Sequence, residues 1–451
     1  MPVKNYKQIG TTGLRQSGGQ VFEDFLPNLR WPQAGRVYQE MSDNDPVVGA
    51  ILYLAEMLIR NIHWSVKPAS NAPEDLEAAN FVEECMNDME HSWANFISEV
   101  LSMLAYGFSF HEIVYKVRKG PFEQGPYKSK YQDGRVGWKK LPVRSQHSLH
   151  NWDMDIKGEL KGFVQLSDAA RTLVTIPISK GLLFRTRVSR DNPEGKSLLR
   201  NAYRPWYFKK HIEEIEGIGI ERDLAGFPVL TAPEGLDLWN SDDPRLKAIR
   251  VEAETLVANI RRDSEEGVLL PHGWDLRLLS TGSARQFDTN AIINRYDNRI
   301  AITMLSDLIL IGSDKTGSFA LAETKQSMLG KALEAQVGNI ADVLNQQAIP
   351  KLFKYNNFTI SEYPKILPGE IESPSIKEIS LLLRAMGLDI SKDIQLMNYL
   401  RRVASMPELD QKTFEEVYSE QQEDQEPLVQ EPDDTAENDF EQNDMAYEGG
   451  E

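Results

Sequence analysis

The chain has 451 residues, 41% hydrophobic and 9% aromatic, with a net charge of −18; this is the make-up of a folded protein of two or three domains, not of a fibrous or wholly disordered one. Its main apolar run, Val47–Ile59, is interrupted by Tyr53 and Glu56 and falls short of the ~20 residues of a membrane span, and the N-terminal MPVKNYKQIG lacks the apolar stretch of a secretory signal. Cys85 is the single cysteine, which excludes an internal disulfide and a multi-thiolate metal site within one chain, so a soluble protein of a reducing compartment is expected.

Residues 1–40, rich in Gly, Thr, Gln and Pro, read as an extended arm. Asp45 can then cap a helix whose first turn holds Pro46, where a missing N–H costs nothing. Apolar residues at 47, 48, 51, 54, 55, 58 and 62 give that helix one buried stripe. Trp64, Val66 and Pro68 read as a short strand; helices follow over Glu74–Met89 and Trp93–Tyr106, the latter closed by Gly107 as a left-handed cap. Phe108–Val117 reads as a strand that opens a β-rich meander, with further strands at Gly137–Val143, Leu160–Leu166 and Gly181–Arg187.

A long helix is expected from Ser197 to about Glu221, with Pro205 kinking it unless a new helix starts there. Residues 223–285 read as a small mixed unit: a strand at Phe227–Leu230, a helix at Pro244–Arg262, and strands at Gly267–Leu270 and Trp274–Ser280. Asp288 to about Leu310 is a strongly periodic helix, with 292, 293, 296, 300, 304 and 308 on one face and Asn290, Asn294, Asp297, Asn298 and Arg299 on the other. A Gly- and Ser-rich loop, Gly312–Ser318, leads to a third long helix, Leu321 to about Ile349, ended by Pro350. A strand (Asn357–Glu362), a linker (Pro364–Pro374) and helices at Ser375–Met386 and Lys392–Val403 complete the body. From Glu420 to Glu451 there are thirteen acids and no base; without them 55 acids stand against 50 bases, a net of −5. Such a tail has too little apolar surface to order itself, and so mildly acidic a body does not suit tight wrapping of nucleic acid.

The motifs for chemistry are mostly negative. Gly195-Lys196-Ser197 ends like a phosphate-binding loop, but position 190 is Arg where the loop needs glycine; a helix start capped by Ser197 is the preferred reading. Gly10–Gly19 lacks the flanking strand and helix of a dinucleotide site. His147, His150, Asp153 and Asp155 are crowded enough to raise the question of a metal, yet the stretch reads as a turn between strands, not a converging frame. Tyr203, Trp206, Tyr207 and Phe208, beside Arg204, Lys209 and Lys210, could form a base-stacking platform; an aromatic face packed on a neighbouring helix is preferred. No catalytic residue, metal site or cofactor is expected.

The order of the parts is more informative. DNDPVVGAILYLAEMLIRNIHWSVKP (43–68), LSMLAYGFSFHEIVYK (101–116), GKSLLRNAYRPWYFKK (195–210) and TGSFALAETKQSMLGKALEAQVGNIADVLNQQAIPKL (316–352), in this order, make the chain resemble bacteriophage portal proteins, most closely the Mu-like branch. The resemblance implies an α+β portal fold and a homo-oligomeric ring, usually twelvefold, at one capsid vertex. It divides the chain into an N-terminal arm (1–40), a wing (41–196), a stem helix (197–222), a clip (223–286), a second stem helix (287–311), a tunnel loop (312–320), a long kinked wing helix and strand (321–372), a short helical crown (373–419) and the acidic tail (420–451). The implied partners are double-stranded DNA passing weakly and non-specifically through the channel, the terminase large subunit, a head–tail connector, the major capsid protein and scaffold; no membrane is implied. The location is the virion, with assembly in the host cytoplasm.

In this mapping Gly312, Ser313, Asp314, Lys315, Thr316, Gly317 and Ser318 face the DNA, with Lys315 either touching phosphate or pairing with a neighbour's acid. Asn290, Asn294, Asp297, Asn298 and Arg299 line the channel or a subunit contact. The alternatives are another neck or connector protein, and a metal-dependent nuclease built on the 147–155 cluster.

Overall fold

The computed structural model describes residues 10–167, 170–225, 227–239, 243–259, 269–279, 288–304, 319–371, 394–403 and 409. The chain divides into two units, Met1–Glu372 and Ser373–Glu451. In the first, a small hairpin, β1 (Gln16–Ser17) and β2 (Gln20–Val21), precedes helix α1 (Gln33–Asn44). The end of the expected extended arm is thus helical, because Ala34, Tyr38 and Met41 recur at helical spacing and are all buried. Helix α2 (Pro46–Arg60) starts as expected: Asp45 Oδ1 accepts from the N–H groups of Val47 and Val48, each at 3.0 Å, and Val48, Ile51, Ala55 and Ile59 form its buried stripe.

Strand β3 (Trp64–Lys67) leads to α3 (Pro73–Asn87). The expected helix at 93–106 is two helices, α4 (Trp93–Val100) and α5 (Ser102–Tyr106). The chain tightens at Leu101, whose carbonyl accepts from Leu104 N–H at 2.9 Å, and Met103 and Leu104 turn into the core. Gly107 closes α5 at φ +93°, the left-handed geometry that favours glycine.

The strand expected at 108–117 is likewise divided. β4 (Phe108–Glu112) pairs with β7 (Val143–Arg144) and β11 (Gly181–Arg185), whereas β5 (Val114–Val117) pairs with β6 (Val136–Lys140). Buried Ile113 joins them, and its N–H goes to Lys180 O at 2.7 Å. β8 (Leu149–Met154), β9 (Leu160–Ser167) and β10 (Thr172–Pro177) form an antiparallel meander, so the His147–Asp155 stretch contains a strand where a turn was expected. Trp152 is the reason: it is buried against Phe108 and Phe163, and its N–H is taken by Gly19 O.

Next come α6 (Leu199–Ala225), β12 (Phe227–Thr231), α7 (Pro244–Asn259), β13 (Asp275–Leu279) and α8 (Thr289–Thr303). β12 and β13 pair antiparallel, giving the mixed unit its own two-stranded sheet. Of the strand expected at 267–270, residues 269–270 are not in a strand and the rest lies outside the described residues.

Helix α9 (Phe319–Val343) does not stop at Pro350. It widens into a π-turn (Leu344–Ala348) and continues as α10 (Ile349–Phe353). Proline removes one helical N–H and crowds the preceding turn, and a π-turn is a place where that crowding can be absorbed. The π-turn also presents Asn345 to the chain beyond: its side-chain amide donates to Ile366 O and its carbonyl oxygen accepts from Ile366 N–H, at 2.9 and 2.8 Å. This holds β14 (Lys365–Pro368) against β3. The strand therefore falls within the expected linker and not at 357–362, whose Phe358 and Ile360 pack on the core without strand pairing. The second unit contains α11 (Ile394–Val403), part of the helix expected at 392–403; Asn398 bonds both the N–H and the carbonyl of Leu409. The helix expected at 375–386 and the acidic tail lie outside the described residues.

Three hydrophobic clusters hold the first unit together. The largest joins α2–α5, β6, β11, α9 and α10 around Phe81, Phe96, Trp138, Phe184 and Ile340. A second, aromatic one joins β4 to the meander, with Phe110 stacked on Phe163 at 4.8 Å. The third gathers α1, α2, α6 and α8. Each large apolar side chain fully buried in these clusters contributes about 1.5–3 kcal/mol.

His111 is fully buried in the first region, between the rings of Phe96 and Phe184. Its Nδ1 lies 2.8 Å from Leu141 O, an acceptor only, so Nδ1 carries the proton and Nε2 accepts from the Ser109 hydroxyl at 2.8 Å. Burial pushes its pKa down to about 4, against a smaller upward pull from the Leu141 carbonyl. The unfolded chain takes up this proton near pH 6.5 and the folded chain only near 4, so the stabilisation is complete above pH 6.5 and is lost as pH falls towards 4. In urea titrations, the stability difference between wild type and His111→Gln should shrink by ~3 kcal/mol between pH 7 and pH 4.

Candidate functional site

The third cluster is the root of the long helix pair α6 and α8. Leu199, Ala202 and Trp206 of α6 meet Ile300, Ala301 and Met304 at the C-terminal end of α8, with Tyr38 and Met41 of α1 and Val48 and Ile51 of α2 beneath them. α6 opens where Ser197 donates its hydroxyl proton to Ala105 O and accepts from Leu199 N–H at 2.9 Å. The Gly195-Lys196-Ser197 segment is therefore a helix start, with Gly195 at φ +58° and Lys196 exposed. Pro205 leaves α6 continuous: the carbonyl it deprives of a partner belongs to Asn201, which is exposed to water.

Below this apolar layer lies a buried charge cluster. Lys209 is 2% exposed, and its ammonium donates to Asp45 Oδ2 at 3.0 Å and to Asp297 Oδ1 at 2.6 Å, with Glu213 at 3.8 Å. The other oxygen of Asp45 caps α2, so a single carboxylate fixes the start of α2 and holds α6, while the same ammonium holds α8. Burial pulls the Lys209 pKa down, but the bonds to Asp297 and Asp45 outweigh it and the net direction is up. Two further α6 bases bind acids of the N-terminal segment: Arg200 pairs with Asp24 and Lys210 with Glu40. Lower down, Thr289 donates its hydroxyl proton to Glu216, closing the pair at the start of α8.

This geometry separates the residues that the sequence placed on one outer face. Asn290, Asn294, Asn298 and Arg299 are exposed, but Asp297 is turned inward onto Lys209. The aromatic residues of α6 behave as a packing face: Trp206 is buried, Tyr203 packs beside it, and Phe208 stacks on Tyr296 of α8 at 6.4 Å. Gly312 to Ser318 lie outside the described residues. Of the 147–155 group, His150 and Asp153 are exposed on β8 and His147 faces the Tyr106 ring. Among the described residues no group of three or more His, Cys, Asp or Glu is placed to hold a metal ion. Among the same residues no helix is long and apolar enough to cross a membrane.

A cavity of about 640 Å³ lies beside the α6 start, walled by Asp24, Tyr38, Arg187, Glu194 and Arg200. Burial pushes the Glu194 carboxyl up to about 8, with only the Trp152 indole N–H, 3.4 Å away, opposing it.

The family model described as the portal protein of Mu bacteriophage matches residues 35–404. The chain belongs to this portal family. The family is structural, not enzymatic, and belongs to the phage virion and its head–tail connector. Among solved structures, a chain from the virion of a native gene transfer agent particle is 13% identical, with a TM-score of 0.51, over 87% of this chain and 97% of its own. A chain from the neck of an empty gene transfer agent particle is also 13% identical, with a TM-score of 0.48, over 83% and 94%. An HK97 family phage portal protein from Corynebacterium diphtheriae is 11% identical, with a TM-score of 0.41, over 71% and 92%. At such identities the first likeness concerns the fold alone, and that fold is the mixed helix-and-strand architecture of portals.

Removing one partner from a buried ion cluster strands the other charges. Lys209→Met should therefore cost ~3–5 kcal/mol of stability, read as an earlier urea transition of tryptophan fluorescence. Asp45→Ala should cost more than Asp297→Asn, because it removes a helix cap as well as a counter-ion.

Proposed function

We propose that about twelve copies of this chain close into a ring at one capsid vertex. The ring is the conduit through which double-stranded DNA is packaged and ejected. It is also the platform on which the terminase large subunit and then the head–tail connector dock, within a shell of major capsid protein and scaffold. Residues 41–196 with 321–372 are the wing, α6 and α8 the stem, 223–286 the clip, 312–320 the tunnel loop and 373–419 the crown.

The observation that carries this reading is the helix pair. α6 leaves the body and α8 returns to it, the two are joined by Lys209–Asp297 and Thr289–Glu216, and the chain between them carries its own β12–β13 sheet. The family match spans all of these elements. A conduit should adhere little to its cargo, since each phosphate neutralised adds affinity and slows sliding. A body only slightly acidic once the tail is set aside meets that requirement.

Native mass spectrometry with negative-stain imaging should show closed rings of 51.2 kDa subunits with a channel wide enough for a duplex. A small species that cleaves DNA with added divalent metal would overturn the assignment. Within the ring, Lys315 touches phosphate transiently, so Lys315→Ala should lower DNA content or retention in packaged particles. Unchanged content and retention would assign Lys315 to a pair between subunits.

A further inference from the structure

The outer side of the helix pair carries charges and apolar residues that the chain itself does not satisfy. On the side of α6 away from α8 stand Glu214 and Ile218, the latter 51% exposed. Glu214 has only a loose contact with Lys210, at 4.0 Å, whose nearer partner is Glu40. On the side of α8 away from α6, four-residue spacing sorts the exposed residues into two stripes. Asn290, Asn294 and Asn298 form one, all amide. Arg295 and Arg299 form the other, with Ile302 (59% exposed) alongside. Both guanidinium groups lie over the Tyr296 ring, at 5.4 and 5.8 Å, and among the described residues neither pairs with an acid.

We infer that the arginine stripe of α8 seats against the outer face of α6 in the next copy of the chain, with Arg295 pairing with Glu214 of that copy, while the amide stripe is left facing the channel. This rests on the ring reading and assigns different duties to residues that the sequence grouped together. At the level of Glu214 and Ile218 the two faces are complementary: an acid and an apolar side chain on α6, two guanidinium groups on α8. They also lie on opposite edges of one helix pair. Such surfaces join head to tail, and repeating that join closes a ring or extends a filament.

The heights agree. Lys209 is level with Asp297 and Glu216 with Thr289, so Glu214 is level with Ile292. Arg295 is three residues further on, a rise of roughly 4.5 Å that an arginine side chain can span. In the same register Arg299 is level with Tyr207, which is 41% exposed, with the His211 ring 4.3 Å from its own.

The test is a charge exchange in the full chain, followed by native mass spectrometry and sedimentation at low and high salt. Glu214→Arg and Arg295→Glu should each lower the fraction assembled into rings by about tenfold, and the double exchange should restore it to within about twofold of wild type. Circular dichroism of each variant establishes that the subunit is folded. Folded single variants that assemble like wild type at both salts would overturn the pairing and leave the ring reading standing. So would a folded double variant that stays dispersed. A wild-type chain that forms no ring under any condition would instead remove the ring reading and this inference with it.

Discussion

The ammonium of Lys209 fixes the attachment of the two long helices to the body. A lysine with 2% exposure is tolerable only if its charge is matched, and here it is matched from two directions. Asp45 comes from the junction of α1 and α2, and Asp297 comes from α8. An apolar residue at 209 could fill the space, but it would not set the register of α8 against α6, because apolar contacts slide at small cost whereas a bidirectional ion cluster has one geometry. The layer above it, with Trp206, Ile300 and Met304, supplies the burial; the charge cluster supplies the registration. Glu216 and Thr289 repeat that registration lower down, so the pair is held at two levels.

Through Asp45 this attachment reaches the rest of the molecule. The carboxylate that holds Lys209 also caps α2, and α2 contributes to two cores. Leu52 packs against both the large cluster and the root cluster, so the root is not an independent module. The far end of the large cluster is secured differently. Asn345, projected by the π-turn, holds β14 against β3, and Lys351 donates to the carbonyls of Ile178 and Gly181 at 2.8 Å each. Burial lowers the Lys351 pKa, whereas at Lys209 the bonds to two carboxylates outweigh burial.

What the sequence made legible is what is encoded within a few residues. The Asp45 cap, the stripe of α2 and the left-handed Gly107 depend on neighbours in the chain; the cap and Gly107 stand where the pattern put them, and the stripe buries Val48, Ile51 and Ala55 as expected but adds Ile59 and leaves Val47, Leu54 and Leu58 half-buried. The misses are tertiary. α1 is short and polar on one side and becomes a helix because Ala34, Tyr38 and Met41 find a core. β14 forms because β3, some three hundred positions earlier, has a free edge and Asn345 holds the strand to it. Asp297 was grouped with its outward neighbours because helical periodicity marks a polar residue as exposed; nothing local discloses that Lys209 is waiting for it. The family resemblance, by contrast, rested on the order of parts, which survives such local errors.

The inward turn of Asp297 changes the electrostatics of the helix it belongs to. With that acid committed to Lys209, the exposed charge of α8 is Arg295 and Arg299 alone, so the helix presents a net positive outer face. Left bare in a DNA conduit, two arginines per subunit repeated around a ring would bind phosphate, and the affinity would compound with every copy. A neighbouring glutamate at Arg295 and a neighbouring ring at Arg299 would withdraw both from the duplex. In the proposed ring the surface left for the channel would be the amide stripe of Asn290, Asn294 and Asn298, which can hydrogen-bond water and phosphate alike but would hold neither by charge. In the proposed ring the subunit contact and the low adhesion of the channel would be one requirement, met by the same two arginines.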